Sequence, residues 1–230
     1  MPKVTSALFD SISGKTGTKV FRRMNGETFY STRPESYNIS QSAKAKESRS
    51  NFSLVIKFAK IVNEQPALKL AWQKAKIKGT TAFNRIVKHN INFVKENQLS
   101  VFNIITPKGE SFPASSYIAT DTSLVFRLEN SFILQSSFKE LPFKLVAVVY
   151  LSERKRKSLE DNLLLSFSDD YPQPLINNID ALSLTIPKDI LSHFSGYKKR
   201  FIYLSAVFQD PGTSKPKWTS TICIPFSPSA

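Results

Sequence analysis

Sulfur and imidazole are scarce in this chain. One cysteine, Cys223, stands among 230 residues, so no intrachain disulfide can form. The two histidines, His89 and His193, bring the Cys and His total to three, too few to make a Cys/His structural zinc site, and no metal is expected. No apolar run nears the roughly 18 residues of a membrane-crossing helix. The longest candidate, Leu145 to Leu151, is strand-sized and is followed by Glu153-Arg154-Lys155-Arg156-Lys157. The N-terminus passes through Lys3, Thr5, Ser6, Asp10, Ser11 and Ser13 with no apolar core of a secretory signal. These absences predict a cytoplasmic protein with no membrane span, export by a signal-independent route being the alternative.

Acidic residues are the other shortage. Lys and Arg number 32 against 18 Asp and Glu, a net charge of +14 and a pI of about 9.8. That balance points to anionic partners without choosing between nucleic acid and an acidic protein surface. Residues 1–98 hold 18 Lys and Arg and 6 Asp and Glu, whereas residues 99–230 hold 14 and 12, so nearly all the excess is N-terminal. The hydropathy pattern changes at the same place, from helical spacing to short β-branched and aromatic runs punctuated by proline. Both changes predict a boundary near 98, with a basic hairpin plus helical region at 1–98 and a β-sandwich domain at 99–230.

Asn25-Gly26 separates Thr18–Met24 from Glu27–Pro34, and Asn-Gly between two runs of β-formers is a strong hairpin signal because both residues tolerate positive φ. Strand alternation sends Lys19, Phe21 and Arg23 to one side and Thr18, Val20 and Arg22 to the other. A ribbon with charge on both faces makes a poor core pair and is expected to lie on this protein's own helices, a second subunit or a polyanion. Gly14-Lys15-Thr16 matches the end of a phosphate-binding P-loop, but Phe9 stands where that motif needs glycine and a strand follows where it needs a helix. Nucleotide binding through it is rejected.

Three helices are expected next. The first is capped by Ser40 or Ser42 and runs to about Val62 with an apolar stripe of Phe52, Val55, Phe58, Ala59 and Val62. The second starts at Pro66 and stops at Gly79, and the third spans about Thr81 to Asn90; together they predict a small bundle with Trp72 and Phe83 in its core. Lys69, Lys74, Lys76, Lys78, Arg85 and Lys88 make a basic helical face that is either solvated or phosphate-contacting. Seven strands follow, at Leu99–Thr106, Ser123–Leu128, Phe143–Ser152, Leu163–Ser168, Ala181–Ile186, Lys199–Phe208 and Trp218–Pro225, with Asp210-Pro211-Gly212 in the closing loop and a short helix from Pro187 to Gly196. The class is α+β, the second half an all-β immunoglobulin-like Greek-key sandwich.

Gly14-x-x-Gly17, the Val20-Phe21-Arg22-Arg23 strand with Asn25-Gly26, Arg33-Pro34, Arg49-x-x-Phe52, and Phe83 followed by Asn90 together form a pattern. It resembles the N-terminal half of an uncharacterised domain-of-unknown-function family widespread in Bacteroidetes-like bacteria. The Asp-Pro-Gly loop and the Trp218-Thr219-Ser220 strand are similar to that family's C-terminal half, although the tryptophan cluster associated with it is missing. The resemblance implies fold and lineage and carries no activity.

Catalytic motifs are missing as well. No Gly-x-Ser-x-Gly elbow occurs, Cys223 sits between Ile222 and Ile224 in an expected apolar strand, and His89 beside Asn90 reads as a helix C-terminal contact. Asp169-Asp170 with Glu160, Asp161 and Asp180 fits no calcium-loop spacing and reads as a solvated loop. No catalytic residue, metal or cofactor is assigned. The expected function is a non-catalytic structural or assembly protein docking on an acidic protein surface or on itself, the alternative a sequence-nonspecific nucleic-acid-binding protein. Either would use Lys15, Lys19, Arg22, Arg23, Arg33, Lys44, Arg49, Lys74, Lys76 and Lys78.

Overall fold

The computed structural model describes residues 14–24, 26–33, 39–78, 80–120, 122–128, 137–138, 141–172, 181–208 and 216–226, so the expected 210–212 loop and the helix stop at Gly79 lie outside them. The fold is mixed α and β, and the chain divides into two compact units, Met1–Ala45 and Lys46–Ala230.

In the first unit the expected hairpin carries a further strand. β1 (Gly14–Thr16), β2 (Lys19–Met24) and β3 (Glu27–Thr32) form an antiparallel sheet in the order β1-β2-β3. Gly17 at φ +59 and Gly26 at φ +83 make the two turns, a backbone region that residues with a Cβ seldom adopt. Met24 pairs with Glu27 where the turn is predicted, with Gly26 at positive φ between them, while Asn25 lies outside the described residues.

The second unit is layered. α1 (Ala43–Glu64) begins where the Ser42 hydroxyl accepts the Ala45 N–H, as expected of a cap. It buries Leu54, Val55, Phe58, Ala59 and Val62, but Phe52 is 52% exposed and leaves the predicted stripe. α2 (Pro66–Lys74) starts on its proline, and α3 (Ala82–Asn90), capped by the Thr81 hydroxyl, runs into a 3₁₀ turn at Ile91–Phe93.

β4 (Ala114–Ala119), β5 (Ser123–Leu128) and β8 (Ala181–Thr185) make one sheet in the order β4-β5-β8. β6 (Phe143–Arg154), β7 (Asn162–Tyr171), β9 (Tyr197–Phe208), β10 (Lys217–Trp218) and β11 (Ile222–Pro225) make the other, in which β6 lies between β7 and β9, and β10 and β11 both pair with β9. Successive strands pass between the sheets after β5, after β7 and after β8, the last passage carrying α4 (Lys188–Phe194).

One core fills the space between the sheets, where Phe126, Leu182 and Leu184 meet Leu145, Ala147, Val149, Ile202, Leu204 and Ala206. Phe138 packs edge-on against Phe112, Phe143 and Phe208 in it. A second core fills the opposite face of the larger sheet, where Val146, Val148, Tyr150 and Tyr203 meet Phe58, Leu68, Trp72 and Ile86. The helices therefore lie on the sheet instead of forming a bundle of their own. Trp72 and Phe83 belong to that core, as expected.

Residue 98 falls inside this unit, and polar contacts knit its surroundings together. Trp72 Nε1 donates to Ile105 O at 2.7 Å, Tyr203 Oη to Ser100 O at 2.7 Å, and Lys199 Nζ to Gln98 Oε1 at 2.8 Å. Leu99–Thr106 is not a strand: Ser100 N–H donates to Asn103 Oδ1 at 2.8 Å and Asn103 N–H to Ser100 O at 3.2 Å, so a side-chain turn replaces extended pairing. Asp169 and Asp170 lie in strand β7, not in a loop, and Asp170 pairs with Lys144 at 3.1 Å. Among the described residues no helix is long and apolar enough to cross a membrane.

Candidate functional site

Register decides what the basic sheet presents. Phe21 faces Tyr30, Lys19 faces Thr32 and Arg23 faces Thr28, so these six share one face with Gly14 and Thr16. Val20 faces Ser31 and Arg22 faces Phe29, and these share the other face with Lys15. Lys15, Lys19, Arg22, Arg23 and Arg33 are all exposed. The Phe21 and Tyr30 rings lie 6.3 Å apart, and Lys19 Nζ sits 5.7 Å from the Tyr30 centroid. An aromatic pair thus stands among the cations of this ribbon. The signal was available, because a two-residue turn at Asn25-Gly26 places Phe21 opposite Tyr30 by counting.

The remaining candidates lie on helical elements and the residues that follow them. Lys44 and Arg49 are exposed on α1, while Lys74 ends α2 and Lys76 and Lys78 follow it, all three exposed. Lys74 there suits the negative end of the helix dipole. Arg85, grouped by sequence with that basic face, is used internally. Its Nη1 donates to the carbonyls of Trp72, Gln73 and Ala75 at 2.7, 3.0 and 3.2 Å, which closes the C-terminal end of α2.

Other polar groups are structural too. His89 packs 5.6 Å from the Trp72 ring and lies within α3. Asn90, fully buried, donates to Ile86 O and Ile104 O and accepts from Ile104 N–H and Asn103 Nδ2. Thr106, Ser205, Thr219 and Thr221 share a hydroxyl network behind β9. Cys223, paired with Tyr203 across β11 and β9, has its thiol pushed up to about 12 by burial, which suppresses the nucleophilic thiolate at neutral pH. Among the described residues no group of three or more His, Cys, Asp or Glu could hold a metal ion.

A cleft of about 390 Å³ opens between α1 and the start of β7, with Lys57, Arg154, Glu160 and Asp161 around it. Its charges cancel: Lys57 lies 3.9 Å from Glu160 and Arg154 Nε 2.9 Å from Asp161. The basic sheet has no comparable balance, with five cations and Glu27 alone of acidic type over residues 14–33. Comparison of this chain with protein-family models, curated proteins and solved structures finds no match.

Proposed function

We propose that this chain is a non-catalytic assembly protein, docking through its basic N-terminal region and its β-sandwich onto an acidic protein surface, either another protein's or a second copy's. The observation that carries this reading is the set of exposed cations, Lys15, Lys19, Arg22, Arg23 and Arg33, spread over both faces of one three-stranded sheet. Charges so placed steer encounter and set association rate and salt sensitivity more than they set affinity. The sandwich is proposed to be immunoglobulin-like. Its support is strand order: β4-β5-β8 and β7-β6-β9-β11 match the A-B-E and C′-C-F-G sheets of a Greek key with one strand shifted to the larger sheet.

A second reading, sequence-nonspecific nucleic-acid binding, is favoured by one specific feature. Phe21 and Tyr30 share a face with Lys19 and Arg23, a combination that can stack bases and neutralise phosphates. Fluorescence anisotropy of the full chain with poly-L-glutamate and with oligothymidylate separates the two. The assembly reading expects polyglutamate to bind as tightly as oligothymidylate at matched charge, whereas tighter oligothymidylate binding that is lost in Tyr30→Leu would replace it with the second.

A further inference from the structure

The turn between β6 and β7 carries Arg154-Lys155-Arg156-Lys157, which the sequence offers only as the end of an apolar strand. Arg154 turns back onto its own loop. Its Nη1 donates to Lys157 O at 2.9 Å and to Leu159 O at 2.6 Å, while its Nε meets Asp161. The Lys155 N–H donates to Gly196 O at 2.8 Å, fastening the loop to the residues that follow α4. The approach is close: a Cβ on Gly196 would lie 2.7 Å from Leu159 Cδ1. Lys155 and Arg156 are therefore displayed from a loop held at both ends, so less ordering entropy remains to be lost when they bind.

Between this loop and the end of α4 lies a concave site of about 310 Å³. Lys155, Arg156, Ser158, Ser192, His193 and Ser195 contribute its polar groups, and among the described residues no carboxylate lines it. That distinguishes it from the neighbouring 390 Å³ cleft, whose cations are matched by Glu160 and Asp161. The Ser192 and Ser195 hydroxyls donate to Asp189 O and Ser192 O, so the donors offered to a compact oxyanion with several acceptor oxygens are an ammonium, a planar guanidinium fork, an imidazole and the Ser158 hydroxyl. The hollow is at the small end for small-molecule sites and is not a groove able to track several nucleotides.

We propose that this hollow binds the phosphate group of a small phosphate monoester. The site lies within residues 46–230 and does not depend on docking by the basic sheet.

The chain's two histidines make the test local. In the full chain at neutral pH, inorganic phosphate is titrated at constant ionic strength against chloride while the imidazole Cε1–H proton signals are followed by NMR. The His193 signal is expected to move and saturate, and that of His89, packed on Trp72, to stay still. Lys155→Gln with Arg156→Gln is expected to weaken that response at least about tenfold, the loss of two charge-assisted contacts, with the melting temperature unchanged. A linear, non-saturating shift, an equal shift of both histidines, or an undiminished response in the double variant overturns the proposal. Displacement of phosphate by a phosphate monoester supports it. Saturation by oligothymidylate but not by phosphate would overturn the small-ligand assignment.

Discussion

Lys19 holds its ammonium 5.7 Å from the centre of the Tyr30 ring, diagonally across the β2–β3 ladder in which Phe21 is Tyr30's direct partner. An exposed cation over an aromatic face contributes roughly 0.5–1 kcal/mol, and the ring orders a side chain that would otherwise sweep freely. Tyr30→Leu keeps an apolar neighbour for Phe21 and removes the cation's partner. It is expected to speed amide hydrogen exchange along β2 and β3 by about two- to fivefold, matching that energy. Tyr30→Phe should leave exchange unchanged. Equal exchange in wild type and Tyr30→Leu would show that the Lys19 contact contributes nothing to the sheet.

The two faces of the larger sheet predict how the chain can be cut. A fragment of residues 99–230 would expose Val146, Val148, Tyr150 and Tyr203, all buried in the intact chain beneath the helices. It is expected to aggregate or to unfold without cooperativity, while residues 46–230 unfold in one transition. A cooperative melt of the shorter fragment would instead support the expected domain boundary near 98.

Arg85 gives a sharper test of the helical layer, since one guanidinium nitrogen serves three carbonyls at the end of α2. Arg85→Ala is expected to cost about 1.5–3 kcal/mol of unfolding free energy, in the range for hydrogen bonds to charged groups. Lys88→Ala, an exposed neighbour on the same helix, should stay within about 0.5 kcal/mol of wild type. Equal small losses for both would place Arg85 on a merely solvated face.

Alkaline pH probes the burial around β9. Burial raises Cys223 from 9.0 to about 12 and, with help from Asp169, Tyr171 from 10.0 to about 12; Tyr150 and Tyr203 are raised too, chiefly by burial. In each case the folded chain holds its proton more tightly than the unfolded one. The stability so gained is fully present below the unfolded pKa and is lost as pH rises through the folded pKa. Denaturant midpoints should therefore hold steady up to about pH 9 and fall from pH 9 to about 12. Cys223→Ser is expected to cost roughly 1–3 kcal/mol if the hydroxyl finds no partner, to delay the onset of that fall, and to leave association intact. A midpoint rising through that window would contradict the burial account.

Local chemistry was legible where it was self-contained. Ser42, Pro66 and Thr81 mark helix starts and Asn25-Gly26 marks a turn because each acts within three or four residues of chain. Five of the seven expected strands match single strands in place, and an eighth expectation, the α4 connection, holds as well. The Trp218–Pro225 run is split in two by Thr219, which turns inward to the Ser205 hydroxyl. Leu99–Thr106 misled because Leu99 and Ile105 are buried as a strand's residues would be, but against helices, with Asn103 folding the backbone between them. Phe52 misled for the converse reason: helical spacing gives a stripe but not its width, and the sheet beneath α1 reaches Val55 and not Phe52. Of the candidate site, the cations of 15–33 were legible as charges. The aromatic pair among them follows by counting from the turn, whereas the internal use of Arg85 and the hollow beside Arg156 required tertiary contacts that no periodicity encodes.

The measurement that tests docking through the basic sheet most directly is the association rate of two charge-matched variants with poly-L-glutamate across a range of ionic strengths. One replaces Lys19, Arg22, Arg23 and Arg33 with Gln; the other replaces Lys60, Lys108, Lys188 and Lys217 with Gln, all exposed and outside the candidate set. Both lose four positive charges, so whole-molecule attraction falls equally. The first variant is expected to associate more slowly and with a weaker salt dependence while its melting temperature stays at the wild-type value, and the second to bind nearly as wild type. Equal losses in the two variants, or undiminished binding in the first, would contradict docking through the sheet.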